Sequence, residues 1–358
     1  MLERRQRWTG GFKTFREAER ERDRLVAKKG AGNDPFPEHI TLRAFAKRWL
    51  EHQSTRVRFR TAERYQALLR DDVLPEIGDL RLDRIRPAHV QQVLDKMRER
   101  GLSPRTIIQA RSVLGAALRQ AVAWGLITNN PVQAVRPPQA ERPRLEIPSP
   151  EQLAALIEVA KGTPWEIPIL LAAVTGARRS EVLAIRWADV DSKGRVRIVR
   201  GLQRLAPGAD QTLGFLDPKT PRGRRVVELP AIAHERIRRH RQEQTSRRLA
   251  LKREWIDLDL VCDRGDGAAL SPDSFSHSFK RLAHQAGLHP STRLHDVRHA
   301  VATELGRRGV HPVVVAAVLG HSTPAFTMAT YQHAWDEGSE QAATAMGDAL
   351  GGHKGPAG

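Results

Sequence analysis

The sequence has a single cysteine, Cys262, in 358 residues. That excludes an internal disulfide framework and a cysteine-rich zinc site. It also has no run of 18 apolar residues, the length that a bilayer-spanning helix needs. The opening residues Met1-Leu2-Glu3-Arg4-Arg5-Gln6-Arg7 are basic but lead into no apolar segment, so no secretory leader is expected. Acids are outnumbered, with 41 Asp and Glu against 59 Lys and Arg, a net charge of +18. Tyrosine is scarce: Tyr65 and Tyr331 are the two in the chain. These shortages point to a soluble, cytoplasmic protein with no membrane partner. The charge surplus concentrates polyanions and favours contacts that release counterions from a phosphate backbone. A ribosomal, histone-like or membrane-surface protein would share that surplus, so charge alone does not indicate an enzyme.

Four segments differ in pattern. Residues 1–35 are polar and charged, with a helix expected from Thr14 to about Lys29. Thr14 suits an N-cap, Glu17 stands three residues on, and Lys28-Lys29 fall late, as the helix dipole prefers. Gly30-Ala31-Gly32-Asn33-Asp34-Pro35 then reads as a linker. Residues 39–135 read as all helix. Thr41 precedes an apolar face at Leu42, Phe45, Ala46, Trp49 and Leu50, and a second helix runs from Ala62 to Leu69. Pro87 opens a third ahead of Val90, Val93, Leu94 and Met97. Ser103-Pro104 opens a fourth, with Ile107, Leu114, Leu118, Ala121 and Val122 on one side and Arg105, Arg111 and Arg119 on the other.

Six prolines between Pro131 and Pro150 favour an extended connector. Beyond it, Ser149-Pro150-Glu151-Gln152 forms a capping box with proline at the first helical position. Helices are expected at about 150–160, 165–175 and 179–187. Strands follow at Arg195 to Val199 and Arg224 to Leu229, with Pro218 to Gly223 as a turn. A long helix over 231–253, a short strand from Leu258 to Cys262 and further helices complete the chain, the last from Ser339 to Leu350. The fold class is multidomain: an α-helical domain followed by a mixed α+β domain.

Two clusters and one tyrosine stand out chemically. Thr175-Gly176-Ala177-Arg178-Arg179-Ser180-Glu181 is a glycine-containing break between two helices that presents arginines. His295-Asp296-Val297-Arg298 sets His295 and Arg298 on one helical face. Tyr331 follows Leu319-Gly320-His321 by ten residues. Taken singly, each has an ordinary explanation, a core tyrosine or a surface ion pair. A zinc site from His295, His299 and His321 is disfavoured, because no Glu follows His295 and Arg298 would set a cation beside the metal.

Together these residues resemble the tyrosine site-specific recombinases, or phage integrases. The shared pattern is Thr-Gly-x-Arg-x-x-Glu, a Lys between two strands, His-x-x-Arg, Leu-Gly-His and a following Tyr. It falls here on Arg178, Glu181, Lys219, His295, Arg298, His321 and Tyr331. The resemblance implies a basic segment over 1–35, the remnant of an arm-type DNA-binding domain whose usual three strands have no room in thirteen residues. It implies a helical, SAM-like core-binding domain over 39–135, a linker over 136–148 and the tyrosine-recombinase catalytic domain over 149–350.

It also implies the chemistry. Tyr331 attacks the scissile phosphate and stores the bond energy in a 3′-phosphotyrosine. Arg178 and Arg298 grip that phosphate with planar, permanent charges. Lys219 protonates the leaving 5′-oxygen. His295 and His321 bond the phosphate or handle the tyrosine proton, and Glu181 orients its neighbours. No cofactor or metal is implied. The expected assembly is a homotetramer on double-stranded DNA in the nucleoid, passing through a Holliday junction. Its two larger domains clamp the duplex, its C-terminal helix docks on a neighbouring subunit, and an excisionase or a host DNA-bending protein is an open accessory. The expected outcome is the integration of a phage or other mobile element. Lys193 is the nearest rival to Lys219, and Arg179 falls on the pattern's variable position. A type IB topoisomerase-like enzyme and a non-catalytic nucleic-acid-binding protein are the alternatives.

Overall fold

The computed structural model describes residues 11–30, 40–139, 146–205, 213–218, 221–321, 323–331 and 346–347. The chain divides into two compact units, Met1–Pro143 and Arg144–Gly358. In the first, helix α1 (Phe15–Gly30) begins where Glu17 N donates to Thr14 Oγ1 at 3.3 Å. The Glu17 carboxylate reaches back to Lys13 N at 2.9 Å.

Five further helices, α2 (Leu42–Ser54), α3 (Phe59–Leu68), α4 (Leu74–Ile77), α5 (Pro87–Glu99) and α6 (Pro104–Ala123), enclose one apolar core. Thr41 caps α2 by accepting from Ala44 N at 3.3 Å, and Ser103 caps α6 by accepting from Thr106 N at 3.2 Å. The stripes Leu42, Phe45, Ala46, Trp49 and Val90, Val93, Leu94, Met97 are all buried. Removing each larger apolar side chain from water stabilises the unit by ~1.5–3 kcal/mol. Tyr65 stacks on Trp49 with ring centroids 5.6 Å apart, a packing role.

The outer face expected for α6 is partly corrected. Arg105 and Arg119 are exposed, but Arg111 donates to the carbonyls of Val135 at 2.8 Å and Val132 at 3.0 Å. Those carbonyls belong to a short 3-10 turn, Pro131–Ala134, and its sequel, with Val132 and Val135 buried in the core. Pro131, the first proline of the connector, is therefore part of the helical unit.

The second unit opens with α7 (Pro150–Ala160), whose capping box is formed as the sequence indicates: Gln152 N to Ser149 Oγ at 3.3 Å and Ser149 N to Gln152 Oε1 at 3.0 Å. Helix α8 (Glu166–Thr175) stops at Gly176, whose φ of 59° is left-handed. A Cβ there would also meet Leu319 Cδ2 at 2.5 Å. Helix α9 (Arg179–Val182) is shorter than expected. Its continuation is drawn into backbone pairing instead, Val261 N to Ile185 O at 2.9 Å and Trp187 N to Asp259 O at 2.8 Å. The strand expected at 258–262 is reduced to that bridge.

The β section also departs from expectation. Strand β1 (Arg195–Ile198) pairs antiparallel with the last strand, and a second ladder of β2 (Gly201–Arg204) and β3 (Leu213–Leu216) lies between them in sequence. Strand β4 (Arg225–Glu228) completes the first ladder with Ile198 opposite Arg225. Helices α10 (Ala231–Leu251), α11 (Pro272–Gln285), α12 (Leu294–Arg307), α13 (Pro312–Leu319) and α14 (Pro324–Tyr331) follow. Phe275, Phe279, Leu156 and Trp187 anchor the core around them. Cys262 is buried there, and burial pushes its thiol pKa far up. The helix expected over Ser339 to Leu350 lies outside the described residues, apart from helical Met346 and Gly347.

Candidate active site

The C-terminus of α13 organises the site. The last carbonyls of a helix have no partner within it and carry the negative end of its dipole, so they attract cations. Here three consecutive carbonyls face three arginines from distant parts of the sequence. Val318 O accepts from Arg225 Nε at 2.6 Å, and Leu319 O accepts from Arg298 Nη2 at 2.6 Å. Arg178 Nη2 makes a longer contact of 3.5 Å with Gly320 O. Gly320 allows this convergence. Its φ of 68° ends the helix, and a Cβ would lie 2.9 Å from Arg225 Nη1.

Each arginine is held in its own way. Arg298 is 3% exposed on α12, and its Nη1 also donates to Gly176 O at 2.8 Å, which joins the α8 break to the α13 end. Arg178 precedes α9, and its side chain is 42% exposed. Glu181 takes the Arg178 backbone N at 2.9 Å and Arg178 Nη1 at 2.8 Å. The same carboxylate accepts from Arg225 Nη2 at 2.9 Å. Burial alone would raise the Glu181 pKa, but Arg225 and Arg178 outweigh it and hold the carboxyl below its ordinary range. Glu181 is thus an ionised bridge between one buried and one accessible guanidinium.

The histidines complete the cluster. His321 is buried, with Nδ1 2.7 Å from the hydroxyl of Thr327, itself fully buried on α14. Burial and then the charges of Arg298 and Arg178 lower its pKa to about 4. His295 lies on α12 edge-on to His299, ring centroids 4.9 Å apart. Although His295 keeps an exposed surface, the surrounding protein and then His299 and Arg298 lower its pKa to about 4 as well. Both imidazoles are neutral at pH 7. The result is a positive, partly enclosed site with neutral proton carriers, suited to an anion that gains charge during reaction.

The structure therefore brings together Arg178, Glu181, His295, Arg298 and His321. Tyr331 is the last residue of α14, one turn beyond Thr327; its side chain and the whole of Lys219 lie outside the described residues. Arg179 turns away, donating to Pro272 O at 2.9 Å on α11, a packing role. Sequence reasoning missed Arg225. The available signal was the pattern of β4, where an arginine occupies an inward position and Val226 an outward one.

A family model described as the phage integrase family matches residues 149–337, and one for the phage integrase central domain matches residues 42–138. An integrase of Saccharopolyspora erythraea is 27% identical, covering 85% of this chain and 80% of its own. A Tn1549 transposon integrase in complex with transposon right end DNA superposes with a TM-score of 0.70 at 19% identity, covering 82% of this chain and 95% of that one. A lambda integrase tetramer bound to a Holliday junction gives a TM-score of 0.61 at 18% identity, covering 90% and 88%. At such identities the two structures establish the fold. With the integrase model spanning more than half of its length, the chain belongs to the phage integrase family and is a site-specific tyrosine recombinase.

Proposed function

We propose that this recombinase cuts and rejoins duplex DNA through a 3′-phosphotyrosine at Tyr331, joining a phage or other mobile element to its target. The observation that carries the reading is the arginine cluster on the α13 C-terminus, one helix before the one that ends in Tyr331. The Tyr331 oxygen forms a bond to the scissile phosphorus while the bond to the 5′-oxygen breaks. Lys219 gives that oxygen its proton. Arg178, the accessible guanidinium, bonds the non-bridging oxygens, and Arg298 adds a fixed positive field from its buried position. These charges count most where negative charge builds in the transition state. Neutral His295 and His321 accept or relay the tyrosine proton, and Glu181 orients Arg178. Attack by a 5′-hydroxyl from another duplex reverses the step, so no external energy source is needed.

The exposed Arg105 and Arg119 of α6, and Arg238, Arg239 and Arg241 of α10, supply phosphate contacts that position the duplex. We assign a basic N-terminal segment to 1–35, the core-binding domain to 39–135, the linker to 136–148 and the catalytic domain to 149–350. Four copies act together on DNA in the bacterial cytoplasm, with an excisionase or a host bending protein as accessory. The test uses a plasmid carrying the DNA that flanks the gene in its host genome. Wild-type protein should form a covalent adduct, with or without EDTA, and Tyr331→Phe should bind the same DNA without forming one. An adduct that persists in Tyr331→Phe removes the nucleophile from this proposal.

A further inference from the structure

The first two residues of β4 invert the rule that its partner strand obeys. In β1, Val196 and Ile198 are buried while Arg195 and Arg197 are exposed. Opposite Ile198, β4 buries the Arg225 side chain to 5% exposure and leaves Val226 56% exposed. A position where local hydrophobic logic fails marks strain or function. Burying a guanidinium is costly unless its donors are matched by acceptors and its charge by an anion. Arg225 meets both conditions, with Gly223 O nearby at 3.2 Å and with two partners far away in sequence, Val318 O and Glu181 Oε2.

The choice of partners is informative. A buried guanidinium needs an anion, but not one shared with a second arginine. Arg225 also takes one oxygen of Glu181, leaving the other to Arg178 Nη1. Without Arg225, the full carboxylate charge would bear on Arg178 and draw it inward, away from any phosphate. We propose that Arg225 is a positioning residue for Arg178, acting through Glu181 and the α13 C-terminus to aim that guanidinium at the scissile phosphate. The inference rests on the role given to Arg178 above.

The experiment measures single-turnover cleavage, site affinity and thermal midpoint together, on duplexes whose cleavage position has been mapped with wild type. Arg225→Ala should cleave about 100-fold more slowly, the scale of a misplaced catalytic group, with affinity within about threefold of wild type. Arg225→Lys keeps the charge but not the planar fork and should recover part of the loss. In a Glu181→Gln background, Arg225→Ala should cost under about threefold, because the carboxylate through which it acts is gone. A duplex with sulfur at the scissile 5′-bridging position should not rescue Arg225→Ala. Equal losses in both backgrounds, a rate that falls only in step with affinity, or rescue by sulfur would each overturn the proposal. Should Arg225→Ala not fold, Arg225→Lys carries the same comparison. Arg178→Ala serves as a separate control: near wild-type cleavage there would reject the role of Arg178 itself, whatever Arg225 does.

Discussion

The two units treat buried polarity in opposite ways. Among the described residues of the first, the buried polar side chains are Asp72 and Asn130, and each is a local staple. Asn130 donates to Gly115 O at 2.9 Å, and Asp72 pairs with Arg100 at 3.2 Å. The second unit buries many more, and among them Arg225 and Arg298 converge on one helix end, Glu181 joins it through Arg225, and His321 and Thr327 pair beside it. The first unit uses its buried polar groups only to fasten its own helices. The second spends stability inside to hold charges where water would otherwise screen them.

That contrast can be broken most forcefully at Arg298. Arg298→Ala strips the donor from the Gly176 and Leu319 carbonyls and removes a buried charge, so cleavage should fall by ~10³-fold, the upper end of the effect of a single oxyanion donor. If instead only site affinity dropped, the inner charge would be an ordinary anchor. The counterpart in the first unit is Trp49→Ala. It should lower the unfolding free energy by ~3–5 kcal/mol, while adduct formation by the folded fraction at saturating DNA stays near wild type. Slowed chemistry in that variant would show that the two units are not separable in this way.

Proton linkage sharpens the comparison. The unfolded chain protonates His321 as pH falls through 6.5, whereas the folded site resists until about 4. The native state thus binds fewer protons across that window, and stability should decline on acidification from pH 6.5 toward 4 and be flat above it. Thermal midpoints at pH 7 and pH 5 should differ less in His321→Gln than in wild type; an unchanged difference would contradict the shift. A smaller effect is expected from Thr327→Val, which removes the hydroxyl beside His321 at a cost of about 1 kcal/mol. On the surface, Arg105→Ala and Arg119→Ala should leave cleavage at saturating DNA untouched. Each should reduce the salt dependence of binding by about one unit of slope.

Much of this was legible from local pattern. The stripes of α2 and α5, the caps of α6 and α7, and the core of strands β1 and β4 all depend on near neighbours. The spacing of Arg178 to Glu181 and of His295 to Arg298 likewise places each pair on a single turn. What failed depended on distant partners. Gly201 and Gly214 weaken the strand signal of β2 and β3, whose ladder is fixed by cross-strand pairing. Helix α9 ends early because residues 259–261 claim its backbone. Arg225 is one basic residue in a chain with 59, and the partners that define it lie 44 and 93 positions away.

The burial of Cys262 has a practical consequence. A thiol held in the core with its pKa pushed up supplies almost no thiolate, the form that reacts with alkylating reagents. Because it is the chain's one cysteine, the native protein is in effect blank to maleimide dyes. Cysteines introduced at exposed Ser112 and Ser246, one in each unit, would accept a donor and an acceptor fluorophore with no native residue removed. Energy transfer between them would then follow, in real time and in an otherwise unaltered molecule, how the distance between the units responds when DNA is added.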